Sequence, residues 1–237
     1  MDEYFGLPGH LSSEIIVEQL KQNGFFVIKP FIEEHLLATM RAELLDLFDK
    51  VDDDDDYVYG KVIASMSLKT WDLNKTPTVR AFFKGRTWME KIAKGYQKID
   101  DGVNLDLIST FDYKSDAGEA NNGWAHFDRR QKFKFMIYLS DVDENCGPFS
   151  VVPGTQNLGR ELRLKDNSKH RFGRYFGDPG ICENYSEPQN HFPDYEYEMK
   201  RLTGKMGTII IFDSDLIHQG GHVGPNQKRL IVRGHSW

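Results

Sequence analysis

Apolar positions in the first hundred residues recur every three or four residues, the spacing typical of amphipathic helices. The predicted helices cover about residues 13–23, 33–51 and 78–98. Ser12 or Ser13 can cap the first helix, and Gly24 can end it. Gly85 weakens the third. The first part of the chain is therefore predicted to be mainly helical.

A different pattern begins near residue 103, where apolar runs become short and are separated by Gly, Pro, Asn and Asp. The predicted strands are residues 25–28, 103–113, 133–139, 149–152, 208–212 and 230–232. Helices followed by strands indicate an α+β protein whose antiparallel part is a sandwich or a closed jelly roll. The polar, poorly periodic stretch between Leu158 and Lys200 predicts a long loop that is functional or mobile.

The length of 237 residues and the lack of a linker predict one domain, residues 1–237, with 1–100 as mainly helical support and 101–237 as the β core. No basic segment leads into an apolar one near the N-terminus, and no run reaches the roughly 18 apolar residues of a membrane span. Cys146 and Cys182 belong to no CxxC pair. We expect a soluble, cytoplasmic protein that does not bind membranes.

The formal net charge of −6 argues against a nucleic-acid-binding protein, because phosphate contacts require a basic surface. The acidic run from Asp52 to Asp56 lacks the alternating ligands, the glycine and the distal glutamate of an EF-hand loop. We interpret it as a solvated loop.

The segment from Gly123 to Arg130 contains His126 and Asp128, two residues apart, ahead of a strongly apolar run. In an extended segment, residues i and i+2 point to the same side, so both side chains can reach one metal ion. Taken in isolation, the pair is explained more simply by a polar loop that enters a strand. The rest of the sequence must decide between these two interpretations.

A third candidate ligand is His218, which comes after the buried-looking run Thr208–Phe212 and precedes two glycines. Two imidazoles and one carboxylate are the ligands expected of a mononuclear non-haem Fe(II) oxygenase. Eleven residues later, Arg229 offers a guanidinium that can pair bidentately with the carboxylate of a dicarboxylic cosubstrate.

Four pieces of the chain together resemble the phytanoyl-CoA dioxygenase-like Fe(II)/2-oxoglutarate-dependent oxygenases. They are Trp124-Ala-His-Phe-Asp128, the run from Ile137 to Thr155 with its Asn-x-Gly and Pro-Gly-Thr sequences, Gly207-Thr-Ile-Ile-Ile-Phe-Asp213 with His218, and Arg229. The opening Asn23-Gly-Phe-Phe-Val-Ile28 is also similar to the start of this family. The resemblance therefore extends over nearly the whole chain.

This resemblance implies a double-stranded β-helix, a cupin-like jelly roll, with the N-terminal helices packed outside it. It implies Fe(II) held by His126, Asp128 and His218, with 2-oxoglutarate as cosubstrate and O₂ as oxidant. The implied reaction hydroxylates an unactivated carbon of a small molecule and releases succinate and CO₂. Related halogenases have Gly or Ala at the position of Asp128, so the carboxylate favours hydroxylation.

Several cations are candidates for binding the cosubstrate. The resemblance assigns the C5 carboxylate of 2-oxoglutarate to Arg229, although Arg233 lies on the same strand face and could compete. Lys134 could share that carboxylate or meet an acidic substrate if it points inward, and it could equally point outward. Lys114 occupies the family's lysine position before the iron motif and is a weaker candidate.

The remaining candidates have weaker signals. Trp124 could line the pocket or belong to the core, and Gln219 and Ser150 are possible polar contacts. His222 is a less convincing ligand, because the segment before it is a predicted strand and Gly220 and Gly221 separate it from His218. Surface or core roles are the default for His170, His191 and His235, and Pro153-Gly154 is a structural turn.

Basic residues near the proposed site suggest an anionic substrate, since a local positive field attracts anions. They are Arg129, Arg130, Lys132, Arg160, Arg163 and Lys165. Solvated loop charges explain them more simply. Two alternatives to the oxygenase also stay open: a non-catalytic jelly-roll protein that binds a ligand, and a cupin-like metalloenzyme independent of 2-oxoglutarate. The oligomeric state is not determined by the sequence.

Overall fold

The fold is known from a computed structural model. It describes residues 6–48, 58–59, 63–67, 73–83, 87–97, 105–113, 125, 127–128, 131–169, 198–221, 223–224 and 227–236.

Within these residues the chain forms five α-helices. They are α1 (Ser13–Asn23), α2 (Glu34–Phe48), α3 (Pro77–Phe83), α4 (Thr87–Gln97) and α5 (Gln156–Lys169). The side chain of Ser12 accepts a hydrogen bond from the amide of Ile15 and so caps α1, as predicted. Gly24 ends the helix with a φ of 78°, and its amide donates to the carbonyl of Leu20.

The described strands form two antiparallel sheets. The strands are β1 (Phe25–Ile28), β2 (Val58–Tyr59), β3 (Ile63–Ser67), β4 (Leu105–Tyr113), β5 (Phe133–Tyr138), β6 (Phe149–Val151), β7 (Lys200–Leu202), β8 (Ile209–Asp213), β9 (His218–Gln219) and β10 (Lys228–Ser236). The larger sheet has the order β1-β8-β5-β10-β4-β3-β2, and the smaller has the order β7-β6-β9. The α+β jelly-roll prediction is confirmed.

The central strands of the large sheet are buried on both faces, because helices cover one face and the small sheet covers the other. On β5, Phe133, Phe135 and Ile137 belong to the core shared with the helices. Met136 and Tyr138 belong instead to the interior cluster, which also contains Phe149 and Val151 of the small sheet. This two-sided burial explains why these strands are continuous apolar runs in the sequence.

Two sequence predictions differ from the structure. The helix predicted over residues 78–98 is two helices, α3 and α4, with Gly85 between them in the sequence. The stretch predicted as a loop from residue 158 begins with α5, which extends to Lys169. Leu158, Gly159 and Arg160, in the first turns of α5, contact the β core, and Leu164 is exposed.

Residues 1–100, predicted to be mainly helical, also contribute β1, β2 and β3 to the large sheet. The assignment of residues 1–237 to one domain stays a prediction. The acidic run at residues 52–56 and Cys182 lie outside the described residues. No helix in the described part of the chain is long and apolar enough to cross a membrane.

Candidate metal centre

Asp128 and His218, 90 positions apart in the sequence, meet inside the jelly roll. Nε2 of His218 lies 3.7 Å from Oδ1 of Asp128. The imidazole is 3% exposed and the carboxylate 22% exposed. His218 is the first residue of β9 in the small sheet, whereas Asp128 precedes β5 of the large one. The two sheets therefore bring the two side chains together.

The distance between these two atoms fits a shared metal ion. Two atoms that each bind one ion at about 2.0–2.2 Å can lie no more than about 4.4 Å apart. An imidazole nitrogen and a carboxylate oxygen also suit Fe(II). The third predicted ligand, His126, lies outside the described residues. Within the described ranges, no group of three or more His, Cys, Asp or Glu side chains forms a complete site.

The His218 ring is oriented by its own chain. Its Nδ1 lies 2.6 Å from the carbonyl oxygen of Leu216. A carbonyl in this position favours the tautomer with the proton on Nδ1 and leaves Nε2 available to a metal. The preceding amide, that of Ile217, donates to Oγ1 of Thr155 over 3.0 Å. The hydroxyl of Thr155 in turn donates to the carbonyl of Val152.

Asp128 is oriented by the turn at the end of β8. Its amide donates to the carbonyl oxygen of Ser214 over 2.8 Å. The amide of Ser214 donates to the carbonyl of Lys132, and the amide of Lys132 donates to Oγ of Ser214. The turn from Asp213 to Leu216 therefore holds both of these candidate ligands, Asp128 through Ser214 and His218 through Leu216.

A buried polar network fastens this turn, and the sequence analysis missed it. Oδ2 of Asp213 accepts hydrogen bonds from Tyr96 of α4 at 2.8 Å and from Arg160 of α5 at 3.2 Å. Nε of Arg160 also contacts Asp215 at 3.3 Å. Burial raises the pKa of Asp213, and burial together with the Asp213 carboxylate raises the pKa of Tyr96. The only sequence signal was the pair of aspartates directly after a buried strand.

Lys134 points inward, which settles the question that the sequence left open. Its ammonium lies 2.5 Å from Oδ2 of Asp128 and 5.5 Å from the centre of the Phe212 ring. Burial lowers the pKa of Lys134 to about 8, although the Asp128 carboxylate opposes this shift and Arg233 adds to it. The two oxygens of Asp128 thus have different neighbours, with Oδ1 towards His218 and Oδ2 against Lys134.

Arg229 is a buried residue, 3% exposed, and not a surface strand arginine. It lies two residues before Ile231, which belongs to the interior cluster, and alternate residues of a strand share a face. Burial raises the pKa of Tyr138, and the charge of Arg229 opposes this shift. Arg233 shares the face and is half-buried. Lys114 lies outside the described residues.

The other sequence candidates divide into three groups. Ser150 is buried and pairs with Gln219 across the small sheet, but its hydroxyl donates to the carbonyl of Pro148. His235 is buried on β10, and Pro153-Gly154 forms a turn in which Gly154 has a φ of 80°. Outside the described residues lie Trp124, His170, His191 and His222.

The basic residues that the sequence predicted near the site are described only in part. Arg160 is paired with Asp213 and Asp215, so its charge is locally neutralised. Arg129 and Arg130 lie outside the described residues. On β5 and β10, the described cations Lys134, Arg229 and Arg233 lie on the inward face.

Comparisons with known proteins identify the family and the fold. A family model described as Phytanoyl-CoA dioxygenase (PhyH) matches residues 20–229. A search of curated proteins gave no match.

Solved structures with the same fold include three proteins of low sequence identity. SnoN, a non-heme alpha ketoglutarate dependent epimerase from nogalamycin biosynthesis, has a TM-score of 0.65 and 13% identity, covering 95% of this chain and 82% of its own. EctD from S. alaskensis has a TM-score of 0.60 and 15% identity, and the match covers 98% of this chain and 80% of EctD. HygX from Streptomyces hygroscopicus, solved with nickel and 2-oxoglutarate, has a TM-score of 0.60 and 12% identity, covering 95% and 87%.

Proposed function

The chain belongs to the phytanoyl-CoA dioxygenase (PhyH) family of Fe(II)/2-oxoglutarate-dependent oxygenases, and from this premise we propose that it hydroxylates an unactivated carbon of a small-molecule substrate. The observation that carries the proposal is the 3.7 Å separation of His218 Nε2 and Asp128 Oδ1 inside the jelly roll. An imidazole and a carboxylate at this distance form two of the three protein ligands that such an iron requires.

His126, Asp128 and His218 are the proposed ligands of Fe(II). When bound, iron and 2-oxoglutarate supply the oxidising chemistry, with O₂ as oxidant and succinate and CO₂ as co-products. The residues around the site orient the proposed metal ligands. The carbonyl of Leu216 fixes the His218 ring, and Lys134 contacts the Asp128 oxygen that does not face His218.

Arg229 is the proposed partner of the C5 carboxylate of 2-oxoglutarate. It is buried on the inward face of β10, the face that carries Ile231 of the interior cluster. A guanidinium there can form two parallel hydrogen bonds to a carboxylate in a site from which water is largely excluded. Lys134 and Lys114 are the second and third candidates for the same carboxylate.

Hydroxylation is the proposed outcome because Asp128 keeps a carboxylate in the ligand set. Proteins of this fold include an epimerase, SnoN, and a carbocyclase, SnoK, so the fold alone does not select the outcome. Mass spectrometry of the product separates these reactions, since hydroxylation adds one oxygen atom and epimerisation adds none.

The cofactor assignment is testable without the substrate. Anaerobic protein with Fe(II) and 2-oxoglutarate should show the metal-to-ligand charge-transfer band of the chelate. Arg229→Gln should weaken 2-oxoglutarate binding by about tenfold to a hundredfold, the loss of a charge-assisted contact. Arg229→Lys should retain part of the affinity, and Arg201→Gln, on the exposed β7, should bind normally.

The same measurements separate the alternatives. A non-catalytic ligand-binding protein would give no succinate when Fe(II), 2-oxoglutarate and O₂ are supplied. A cupin-like enzyme independent of 2-oxoglutarate would show no band and would lose nothing in Arg229→Gln. A cytoplasmic location is also proposed, on the cysteine composition, and cell fractionation tests it.

A further inference from the structure

The inward face of β10 carries polar side chains beyond Arg229. Residues two apart on a strand share a face, so Arg229, Ile231, Arg233 and His235 all face the interior of the jelly roll. In the pairing of β10 with β5, His235 lies opposite Lys134. The C-terminal end of β10 therefore lies beside the lysine that contacts Asp128.

His235 is a buried imidazole whose hydrogen-bonding capacity is unused within the described part of the chain. It is 4% exposed, and neither ring nitrogen has a hydrogen-bond partner among the described residues. Burial, followed by the charges of Arg233, Lys134 and Lys132, holds its pKa far below the ordinary value, although Asp128 opposes the shift. The ring is therefore neutral and offers one donor and one acceptor.

Arg233 lies beside His235, two residues earlier on the same face of β10. In the pairing of β10 with β5, Arg233 lies opposite Met136, two residues from Lys134 on the same face, and its charge lowers the pKa of both Lys134 and His235. Unlike Arg229, it is half-buried, so it is accessible to an incoming molecule. The two arginines are four residues apart on one strand, about 13 Å between Cα atoms. That separation favours two different anions over one shared carboxylate.

We propose that Arg233 and His235 form a substrate subsite that binds a carboxylate or phosphate group close to Asp128. The guanidinium of Arg233 favours the arrival of an anion, whereas the ammonium of Lys134 is paired with Asp128. The guanidinium can bind either group bidentately, and the neutral imidazole can donate one further hydrogen bond. The inference rests on the proposed function, because it names the substrate class of the same site.

The direct test observes the His235 ring in the protein loaded with Zn(II) and 2-oxoglutarate, with ¹⁵N-labelled histidine assigned by triple-resonance NMR. Butyrate and inorganic phosphate are the anionic probes, and butyramide is the neutral control. We expect at least one anion to shift the His235 nitrogen resonances saturably, while butyramide leaves them unchanged. Which anion binds more tightly distinguishes a carboxylate from a phosphate substrate.

Variants then assign the contact to Arg233. Arg233→Gln should weaken the binding of the anionic probe by about tenfold or more, as expected for a lost charge-assisted hydrogen bond, and should leave 2-oxoglutarate affinity within about twofold. Arg233→Lys should retain part of the affinity for the probe. The exposed Arg201→Gln should match the wild type.

Three outcomes overturn the inference. Neither anion shifts His235 in a protein that binds 2-oxoglutarate, butyramide shifts it equally well, or Arg233→Gln abolishes 2-oxoglutarate binding while Arg229→Gln does not. In the last case Arg233 holds the cosubstrate. Failure of the proposed function is distinct, because the Fe(II) protein would then form no chelate with 2-oxoglutarate at all.

Discussion

The amide of Asp128 donates to the carbonyl oxygen of Ser214 over 2.8 Å. This bond connects one proposed metal ligand to the turn that leads to the other, His218. The turn is itself fastened by Arg160, whose guanidinium contacts both Asp213 and Asp215. Metal binding should therefore depend on residues that never touch the metal.

The first prediction concerns the ion pairs of Arg160 with Asp213 and Asp215. Arg160→Gln leaves two buried carboxylates without their cation, at 1% and 0% exposure. We expect the free energy of unfolding to fall by about 1–3 kcal/mol, towards the lower value because the guanidinium is 37% exposed. The affinity for Ni(II) should fall about tenfold. Calorimetry and denaturant unfolding measure both quantities.

Arg201→Gln is the matched control, because Arg201 pairs with Glu144 on the surface, where both side chains are more than half exposed. Arg201→Gln should lower the free energy of unfolding by no more than about 1 kcal/mol and leave the affinity for Ni(II) unchanged. An Arg160→Gln protein with normal affinity for Ni(II) would show that metal binding does not depend on the ion pairs of Arg160.

The second prediction tests the hydroxyl of Thr155. Thr155→Val keeps the shape of the side chain but leaves the amide of Ile217 without its acceptor. Because this amide is buried next to His218, we expect a loss of about 1–3 kcal/mol of unfolding free energy and weaker metal binding. Thr155→Ser retains the hydroxyl and should lose less. Equal losses in the two variants would mean that the methyl group matters more.

The third prediction concerns the contact of α5 with the same turn. A Cβ added at Gly159 would overlap the carbonyl oxygen of Asp215, so helix and turn cannot both keep their places. We expect Gly159→Ala to cost about 3 kcal/mol or more, despite its better helix propensity. A Cβ at Gly9 would meet nothing within 4 Å, which makes Gly9→Ala the control. Thermal unfolding compares them.

The fourth prediction is a pH dependence. The pKa of His235 is far below 6.5 in the folded protein, so below about pH 6.5 the unfolded chain binds a proton that the native protein does not. The contribution of neutral His235 to the free energy of unfolding is therefore fully present above about pH 6.5 and is lost as the pH falls. The limiting slope is about 1.4 kcal/mol per pH unit.

Denaturant unfolding at several pH values, with a chelator present so that metal release does not contribute, measures this slope. His235→Asn should lack it, so the difference in stability between wild type and variant should change in favour of the variant as the pH falls. Parallel stability curves would show that the pKa of His235 is the same in the folded and the unfolded protein.

Much of the architecture can be predicted from local patterns. Ser12 and Gly24 delimit α1 because a hydroxyl and a left-handed glycine satisfy the helix ends, which are local requirements. The strands β5 and β8 are continuous apolar runs because both of their faces are covered. The break between α3 and α4 was less predictable, since a single glycine weakens a helix without always ending it.

The sequence by itself determined most of the elements, the jelly roll and the choice of Asp128 and His218 as candidate ligands, because residue spacing and the order of motifs carry that information. The tertiary structure alone decided that Lys134 points inward and contacts Asp128, and that Arg160 pairs with Asp213 and Asp215. It also decided that Arg233 and His235 share the inward face near the candidate ligands. These are contacts across sheets and between distant segments, and they depend on strand phase and on packing, which no short stretch of sequence specifies.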